Sequence, residues 1–233
     1  MLILELFAGS RSLGKVAESR GHEVFSIDIE KFEGIDLAID IEFLTPDMIP
    51  FVPDMIWASP MCTTYTIAAI STHRNMTEPK SDFAKKSDRV VEAMWRLIDH
   101  YGCRYFVENP RGMFRKMPFV KGRDRATVSY CKYGDMRMKP TDIFTNSLDV
   151  WTPRPMCKNY RFNKETGEII DRHCHHEPAR RGASTGTQGL KGNYERSKIP
   201  PELMEEIIKS VEGNSLHPQQ KLTNFLKGRN EEE

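Results

Sequence analysis

The sequence lacks any hydrophobic run that approaches the roughly 20 residues needed by a bilayer-spanning helix. Its first apolar stretch, residues 1–8, is short and has no basic lead, so we expect neither a signal peptide nor a membrane partner. Neither sign of charge is in excess, because the chain has 34 Lys and Arg and 33 Asp and Glu. This balance excludes a simple polycation, although a local basic face is sufficient to bind nucleic acid.

Cysteine is also scarce, and no two cysteines have the spacing of a C-x₂-C pair. Five cysteines spread over more than 110 of 233 residues favour a reduced compartment over a disulfide scaffold, so we expect a cytoplasmic protein. Hydrophobic residues make up 39% and charged residues 29% of the chain, which excludes wholesale disorder. The length allows one good-sized domain with a small appendage.

What the sequence does contain is an alternation of short β-rich runs with helix-like segments over its first 110 residues. This alternation predicts parallel βαβ units in a doubly wound α/β sheet, whose ligands bind at the carboxyl ends of the strands. Strands are predicted at residues 2–7, 23–28, 54–57 and 103–107, with helices at residues 10–20 and 81–100. The prediction is completed by two further strands and a closing helix at residues 126–133, 141–144 and 200–211.

Residues that can bind a ligand follow the first two predicted strands. Gly9 lies in a small-residue turn that lets a ligand approach the backbone, and Ser10 can cap the next helix. Asp28 ends the second strand, where dinucleotide-type folds hold a ribose. A dinucleotide itself is not favoured, because no G-x-G-x-x-G is present. A tight turn with an ordinary strand-terminal acid explains these residues equally well.

A cysteine and a glutamate follow the next two predicted strands. Cys62 lies just past the third strand, where a thiol of lowered pKa could act as a nucleophile. Glu108 ends the fourth strand and could donate a hydrogen bond or a proton to a ring nitrogen. Taken singly, a structural cysteine and a surface glutamate are the commoner explanations. The turn, the cysteine and the glutamate together, at three ends of one predicted sheet, favour a catalytic site.

These motifs, in this order, resemble those of the DNA (cytosine-5)-methyltransferase family. Leu6-Phe7-Ala8-Gly9 resembles the family's S-adenosylmethionine-binding signature, Ser59-Pro60-Met61-Cys62 its Pro-Pro-Cys loop, and Glu108-Asn109-Pro110 its Glu-Asn-Val/Pro signature. The resemblance covers residues 2–212 and is greatest to small phage- or prophage-type members. It implies a bacterial or phage-infected cell, a restriction-modification setting, and a fold of the S-adenosylmethionine-dependent methyltransferase type with a short polar target-recognition insert.

The resemblance also implies how the chain is divided. Residues 1–152 would form the catalytic and cofactor-binding domain, and residues 153–192 a small target-recognition insert. Residues 193–213 would supply a C-terminal helix that completes the first domain, and residues 214–233 a polar tail. So short an insert favours a short recognition site or loose specificity. We expect a monomer that acts on duplex DNA.

The reaction that the resemblance implies is transfer of a methyl group from S-adenosylmethionine to C5 of a cytosine flipped out of the duplex. Cys62 would add to the base, Glu108 would hydrogen-bond it, and Arg137 would hold the flipped nucleotide. The positions that match the family's cofactor contacts are Phe7, Ala8, Gly9, Ser10, Asp28, Ile29, Asp40, Ile41, Ser59, Pro60, Arg196 and Ser197. The candidates for DNA contacts are Arg111, Arg115, Arg180, Gln188 and Lys191.

Two other functions are consistent with the same motifs. One is a catalytically silent or regulatory DNA-binding relative, and the other is the same chemistry on RNA or free nucleotides. The identity of the group donor also has an alternative. The family has Gly-Asn-Ser/Ala-Val beside the methionine end of the cofactor, whereas this chain has Arg196-Ser197-Lys198-Ile199. A cation there suits an anionic donor such as carboxy-S-adenosylmethionine. The favoured alternative is that these basic side chains face solvent or DNA phosphate.

Thiols and imidazoles in and near the predicted insert raise the question of a metal. Zinc takes four nitrogen or sulfur ligands in a tetrahedral array. The candidate ligands are Cys131, Cys157, Cys174 and a histidine such as His175. Their irregular spacing favours a loop that contacts DNA over a metal site. A short polar insert without an apolar core would nevertheless gain stability from a structural zinc ion.

Overall fold

The computed structural model describes residues 1–67, 69–158, 160–163, 165–166, 168–172, 176, 195 and 197–213. The predicted tail lies outside the described residues, as does most of the predicted insert beyond residue 172. Within the described ranges, no helix is long and apolar enough to cross a membrane.

The elements follow the predicted alternation of strands and helices. The longest helix begins at a turn capped by the Ser81 hydroxyl and ends at Gly102, which has a φ of 58°. The helices are α1 (Ser12–Ser19), α2 (Ile70–His73), α3 (Asp82–Tyr101) and α4 (Pro201–Glu212). The strands are β1 (Leu2–Leu6), β2 (Glu23–Asp28), β3 (Leu37–Ala38), β4 (Met55–Ala58), β5 (Arg74–Asn75), β6 (Glu78–Pro79), β7 (Arg104–Pro110), β8 (Arg125–Ser129), β9 (Pro140–Thr145), β10 (Tyr160–Phe162) and β11 (Ile169–Arg172).

Seven strands form one sheet in the order β3-β2-β1-β4-β7-β9-β8. The first five run parallel to one another, whereas β9 is antiparallel to both β7 and β8. The strand order reverses at β1, because the chain first moves outward to β3 and then returns to the other side of β1. Such a switch opens a crevice at the carboxyl ends of the strands, where α/β sheets bind ligands. The predicted doubly wound, mostly parallel sheet is confirmed.

Alternate residues of the central strands face opposite sides of the sheet. Ile3, Met55 and Trp57 pack beneath α1 and α4, whereas Leu4 and Ile56 pack beneath α3. Because helices cover both faces, the central strands are mostly apolar on both sides, as is usual for parallel strands between two helical layers. This packing places the carboxyl ends of β1, β4 and β7 side by side.

The start of α1 differs from the prediction. Ser10 does not cap the helix: the residue at the cap position is Arg11, which has a φ of 53° and no side-chain cap hydrogen bond. Instead, the buried Glu5 of β1 accepts hydrogen bonds from the first-turn amides of Leu13 and Gly14, at 3.2 and 3.1 Å. Burial raises the pKa of Glu5, although these amide donors oppose the rise. Glu5 therefore accepts the hydrogen bonds from the helix amides that Ser10 was expected to accept.

Two predicted strand boundaries move because of how β9 pairs. The predicted fourth strand continues past residue 107 to Pro110, since β9 runs alongside it that far. The strand predicted at residues 126–133 ends earlier, at Ser129, and the chain then forms a 3₁₀ turn that stops at Gly134, where φ is 86°. The chemistry-bearing residues of β7 are therefore held within a strand.

The last helix, α4, packs against α1 on one face of the sheet. Its Glu212 carboxylate accepts hydrogen bonds from Arg20 at 2.8 and 2.7 Å and lies 2.8 Å from the His22 ring. The hydrogen bond from Arg20 lowers the pKa of Glu212 to about 2. At the other end of the helix, the Ile199 amide donates to the Ser12 hydroxyl at 3.2 Å. The segment before α4 therefore lies against the turn after β1.

Candidate active site

The turn after β1 holds three residues in the left-handed backbone conformation. Phe7, Gly9 and Arg11 have φ values of 56°, 44° and 53°. Glycine adopts this conformation freely, whereas Phe7 and Arg11 do so at a cost on the order of 1 kcal/mol each. Backbone strain of this kind clusters at ligand sites, where the surrounding structure holds it in place. The strain therefore points to the same turn as the sequence does.

The acid at the end of β2 meets this turn. Asp28 Oδ2 accepts a hydrogen bond from the Gly9 amide at 2.9 Å, and the Ala8 amide donates to the Ile27 carbonyl at 3.0 Å. Ile29, the next residue, is 65% exposed and offers an apolar surface beside the carboxylate. The first predicted cofactor residues are thus brought together. Their arrangement can hold a hydroxylated ligand that has an apolar ring.

The predicted cofactor residues Asp40 and Ile41 lie at a short 3₁₀ turn after β3. Asp40 accepts a hydrogen bond from the Glu42 amide at 3.0 Å and forms an ion pair with Lys86 of α3 at 2.7 Å. Burial would raise the pKa of Asp40, but the hydrogen bond and charge of Lys86 keep it below its ordinary value. The Ile41 side chain is buried in the core. A ligand here would therefore meet Asp40 and the backbone.

The loop after β4 carries Cys62 at the carboxyl edge of the sheet. It is anchored at Ser59, whose amide donates to the Leu6 carbonyl at 3.3 Å and whose hydroxyl accepts a hydrogen bond from the Trp57 indole at 3.0 Å. Cys62 is half-buried and precedes a 3₁₀ turn at Thr63–Tyr65. A reactant can therefore reach the thiol, while the backbone around it is fixed.

A buried amide joins the cysteine loop to β7. Asn109 Nδ2 donates to the Pro60 carbonyl at 3.1 Å. The loop after β7 is tied in as well, because the Met113 amide donates to the Tyr65 carbonyl at 2.8 Å. Since Glu108 immediately precedes Asn109, these bonds hold the predicted nucleophile and the predicted acid on neighbouring strand ends.

A buried arginine supports the turn that follows Cys62. The Arg74 guanidinium donates to the Thr64 carbonyl at 2.9 Å, forms an ion pair with Asp88 of α3, and lies 4.3 Å from the centre of the Tyr65 ring. The Tyr65 hydroxyl also donates to Asp88, at 2.7 Å. Burial and this hydrogen bond raise the pKa of Tyr65, so its hydroxyl remains a donor. The cluster connects the cysteine loop to α3.

Replacing Arg74 with methionine is expected to destabilise the protein by about 3 kcal/mol, because Asp88 would lose its ion-pair partner while still largely shielded from water. The double replacement Arg74→Met with Asp88→Leu should recover much of this loss, since no unpaired charge remains. Urea unfolding of the wild type and of both variants measures the two effects. If the single variant is as stable as the wild type, the ion pair does not support the loop.

The carboxylate of Glu108 is buried at the same edge of the sheet. It accepts a hydrogen bond from the Tyr130 hydroxyl at 2.7 Å, and the Lys139 ammonium lies 3.7 Å from the same oxygen. Burial and the charge of Glu108 raise the pKa of Tyr130 well above its ordinary value, so Tyr130 stays a hydrogen-bond donor. A carboxyl group fixed in this way can hydrogen-bond an amine or share a proton with a ring nitrogen.

Arg137, predicted to hold a nucleotide, is buried beside the segment before α4. Its Nε donates to Asp135 at 2.9 Å, and its Nη2 donates to the Lys198 carbonyl at 2.9 Å. The hydrogen bond to Asp135 raises the pKa of Arg137, so the guanidinium stays charged. The ion pair with Glu108 is made by Lys139, two residues further along the chain. The structure thus adds Lys139 to the candidate site.

A cavity of about 750 Å³ opens beside the turn after β1, between the start of α1 and the segment before α4. This volume is typical of small-molecule sites. Ser10, Ser12 and Arg137 contribute to its walls, so it connects the predicted cofactor turn with a predicted catalytic residue.

The wall near α4 carries the basic segment that departs from the family's pattern. The Lys198 ammonium forms an ion pair with Glu195 at 2.7 Å, so an acid of the protein itself balances its charge. Ser197 is exposed, and Arg196 lies outside the described residues. The structure therefore gives Lys198 a partner other than an anionic donor.

Of the residues predicted to contact DNA, Arg111 and Arg115 have different surroundings. Arg111 is exposed after the end of β7. Arg115 instead donates to the buried Asp142 at 2.7 Å and to the Thr127 hydroxyl at 3.2 Å. This guanidinium therefore satisfies a buried carboxylate, and a contact of Arg115 with DNA stays a prediction. The remaining candidates lie outside the described residues: Arg180, Gln188 and Lys191.

Two of the predicted metal ligands come together. Cys131, in the turn after β8, and Cys157, in the segment after β9, are buried next to His176. The histidine that joins them is thus the neighbour of the one expected. Cys174 and His175 lie outside the described residues.

Comparison with known proteins gives one curated relative that matches nearly the full length. The chain is 24% identical over 221 residues to a probable DNA (cytosine-5)-methyltransferase of Frog virus 3, which covers 89% of this chain and 99% of that protein. Solved structures of a methyltransferase from Entamoeba histolytica and of Dnmt2 from S. pombe are also similar, at 15% and 14% identity with TM-scores of 0.47 and 0.45. Each match covers 62% of this chain, which spans about half of either structure (52% and 50%). No family model matches the chain.

The chain has a mostly parallel seven-stranded α/β sheet, as predicted, with a strained turn after β1 that meets the acid at the end of β2. The similarity to the Frog virus 3 protein then narrows the class. That protein is described as a probable DNA (cytosine-5)-methyltransferase, which agrees with the resemblance that the motifs around Phe7, Cys62 and Glu108 indicate.

Proposed function

We propose that this chain is an enzyme that transfers a methyl group from S-adenosylmethionine to C5 of a flipped cytosine in DNA, through a covalent adduct with Cys62. The observation that carries the proposal is the bond from Asn109 to the Pro60 carbonyl, which ties the cysteine loop to the strand that bears Glu108. The similarity to the viral protein along almost the whole chain supports both the reaction and the substrate.

The residues present fit an adenosyl cofactor. The Asp28 carboxylate, oriented by the Gly9 amide, would hold the ribose hydroxyls, and the exposed Ile29 would cover one face of the adenine. Ser10 lines the cavity that would receive the methionine end. When bound, S-adenosylmethionine supplies an electrophilic methyl group on its sulfonium.

Cys62 and Glu108 would make cytosine reactive at C5. Addition of the Cys62 thiolate forms a bond to C6 and moves an electron pair toward C5, while Glu108 stabilises the developing charge through hydrogen bonds to N3 and the exocyclic amine. C5 would then be nucleophilic toward the methyl group that bound S-adenosylmethionine would supply. A base removes the C5 proton, and departure of Cys62 restores the C5–C6 double bond.

The donor we propose is S-adenosylmethionine rather than its carboxylated form. Lys198 pairs with Glu195, and Arg137 pairs with Asp135, so these two cations of the described cavity wall are balanced within the protein. A neutral methyl group is therefore the better match to this wall than an added carboxylate.

Mass spectrometry of digested nucleosides tests the function in one experiment. The full chain is incubated with duplex DNA, or with RNA, and with either methyl-deuterated S-adenosylmethionine or the carboxylated donor. We expect labelled 5-methylcytosine in DNA from the first donor. A modified base found in RNA alone would contradict DNA as the substrate, and carboxymethylcytosine would contradict S-adenosylmethionine as the donor. DNA binding without transfer would support a catalytically silent relative. The phage and restriction-modification setting, the monomeric state and the cytoplasmic location stay predictions from the sequence.

A further inference from the structure

A buried cluster that includes Cys131, the residue after Tyr130, joins three side chains that zinc prefers. Cys131 Sγ, Cys157 Sγ and a ring nitrogen of His176 all lie within 4.8 Å of one another. The three residues are only 2%, 5% and 2% exposed. We propose that they bind a structural zinc ion, independently of the methyl transfer proposed above.

The spacing of the ligand atoms matches a tetrahedral zinc site. With Zn–S bonds of about 2.3 Å and Zn–N bonds of about 2.0 Å, a sulfur and a nitrogen on one ion lie about 3.5 Å apart. Cys157 Sγ lies 3.7 Å from His176 Nδ1. Cys131 and Cys157 are not joined in a disulfide, so both can bind as thiolates. These residues supply three of the four ligands that a structural zinc ion takes.

Charge and burial also favour a metal. Two thiolates and a neutral imidazole carry two negative charges, which one Zn²⁺ ion neutralises. Buried thiolates without a cation would be costly, whereas thiols on zinc lose their protons readily. Sulfur and imidazole ligands select zinc over the oxygen-seeking ions magnesium and calcium.

The place of the cluster in the fold indicates what the metal does. Cys131 follows β8 of the main sheet, and the Cys157 amide donates to the Ser129 hydroxyl at the end of β8, at 3.2 Å. His176 follows β11, so the hairpin β10–β11 lies between Cys157 and His176 along the chain. An isolated two-stranded hairpin is only marginally stable in water. A zinc ion bound by Cys131, Cys157 and His176 would connect both ends of this hairpin to the main sheet.

Metal analysis of the untagged full chain, purified under reducing conditions, tests the site. We expect one zinc ion per chain in the wild type and loss of that zinc in Cys131→Ser and in Cys157→Ser. Cys103→Ser is the matched control, because Cys103 packs in the core on the α3 side, and it should keep its zinc. A wild-type chain that takes up no zinc when supplied with it, or cysteine variants that retain it, would overturn the proposal.

Cobalt titration of the chelator-stripped wild type keeps the test decisive if a cysteine variant fails to fold. Cobalt bound by thiolates in a tetrahedral site gives a sulfur-to-metal charge-transfer band and strong visible absorption, and we expect both to saturate at one equivalent and to disappear when zinc is added. Stripping should also lower the thermal unfolding midpoint, and zinc should restore it. No charge-transfer band together with an unchanged midpoint would indicate a thiol–imidazole pair that holds no metal.

Discussion

Replacing Cys62 with alanine is expected to abolish methyl transfer, with a loss on the order of 10⁴-fold or more. Cytosine C5 becomes nucleophilic only after a nucleophile has added at C6, and alanine offers none. The fold should survive, because the loop is held through the Ser59 and Pro60 backbone, which the substitution leaves in place. Transfer of a labelled methyl group to duplex DNA, measured beside thermal unfolding of the same preparations, checks both expectations.

A covalent trap separates this mechanism from one that only needs a polar group at the site. In DNA that contains 5-fluorocytosine, fluorine cannot leave C5 as a proton does, so the protein stays attached through sulfur. The wild type and the control Cys103→Ala should both give a complex that survives denaturation, and Cys62→Ala should give none. Methyl transfer that persists in Cys62→Ala would contradict the proposed adduct.

Replacing Glu108 with glutamine is expected to lower kcat by roughly 10²- to 10³-fold. Glutamine keeps an oxygen that can accept the Tyr130 hydrogen bond, so the packing of β7 is preserved. It cannot share a proton with N3, however, and it leaves Lys139 without its ion pair. Steady-state kinetics on duplex DNA should therefore show a large change in kcat and a smaller one in KM.

The matched control for this substitution is Glu92→Gln, on the exposed face of α3. It makes the same chemical change away from the sheet's carboxyl edge and should retain wild-type kinetics. If Glu108→Gln raised KM and left kcat unchanged, Glu108 would bind the base without taking part in the reaction. A variant with wild-type kcat and KM would remove Glu108 from the site.

Most of the sheet could be predicted because its signals are local. β1 and β4 are buried on both faces and are apolar apart from Glu5, and α3 has an apolar stripe between a serine cap and a glycine stop. The end of β7 and the turn after β8 could not be predicted in the same way. Both depend on pairing with β9, and the residues of these segments do not indicate that pairing.

The difference between local signals and long-range contacts also explains which residues of the candidate site could be predicted. Asp28, Cys62 and Glu108 were recognisable because each lies near the end of a strand or just past it, and parallel strands bring their carboxyl ends to one edge. Arg115 looked like a surface cation because its partner, Asp142, is 27 positions away. Arg74 carries no motif at all, since its role depends on α3 folding back over the cysteine loop.

The cavity beside α1 has walls that are remote from each other along the chain. The Ile199 amide and the Ser12 hydroxyl, which meet at its rim, are 187 positions apart. Contacts between such distant residues close late in folding, because the loop between them must first be ordered. A nascent chain can therefore pair β1, β2 and β4 on the ribosome long before α4 has been synthesised. Such a chain would have the strand ends that carry Asp28 and Cys62 and would still lack the cavity, so a ligand could bind in the cavity only after α4 has folded.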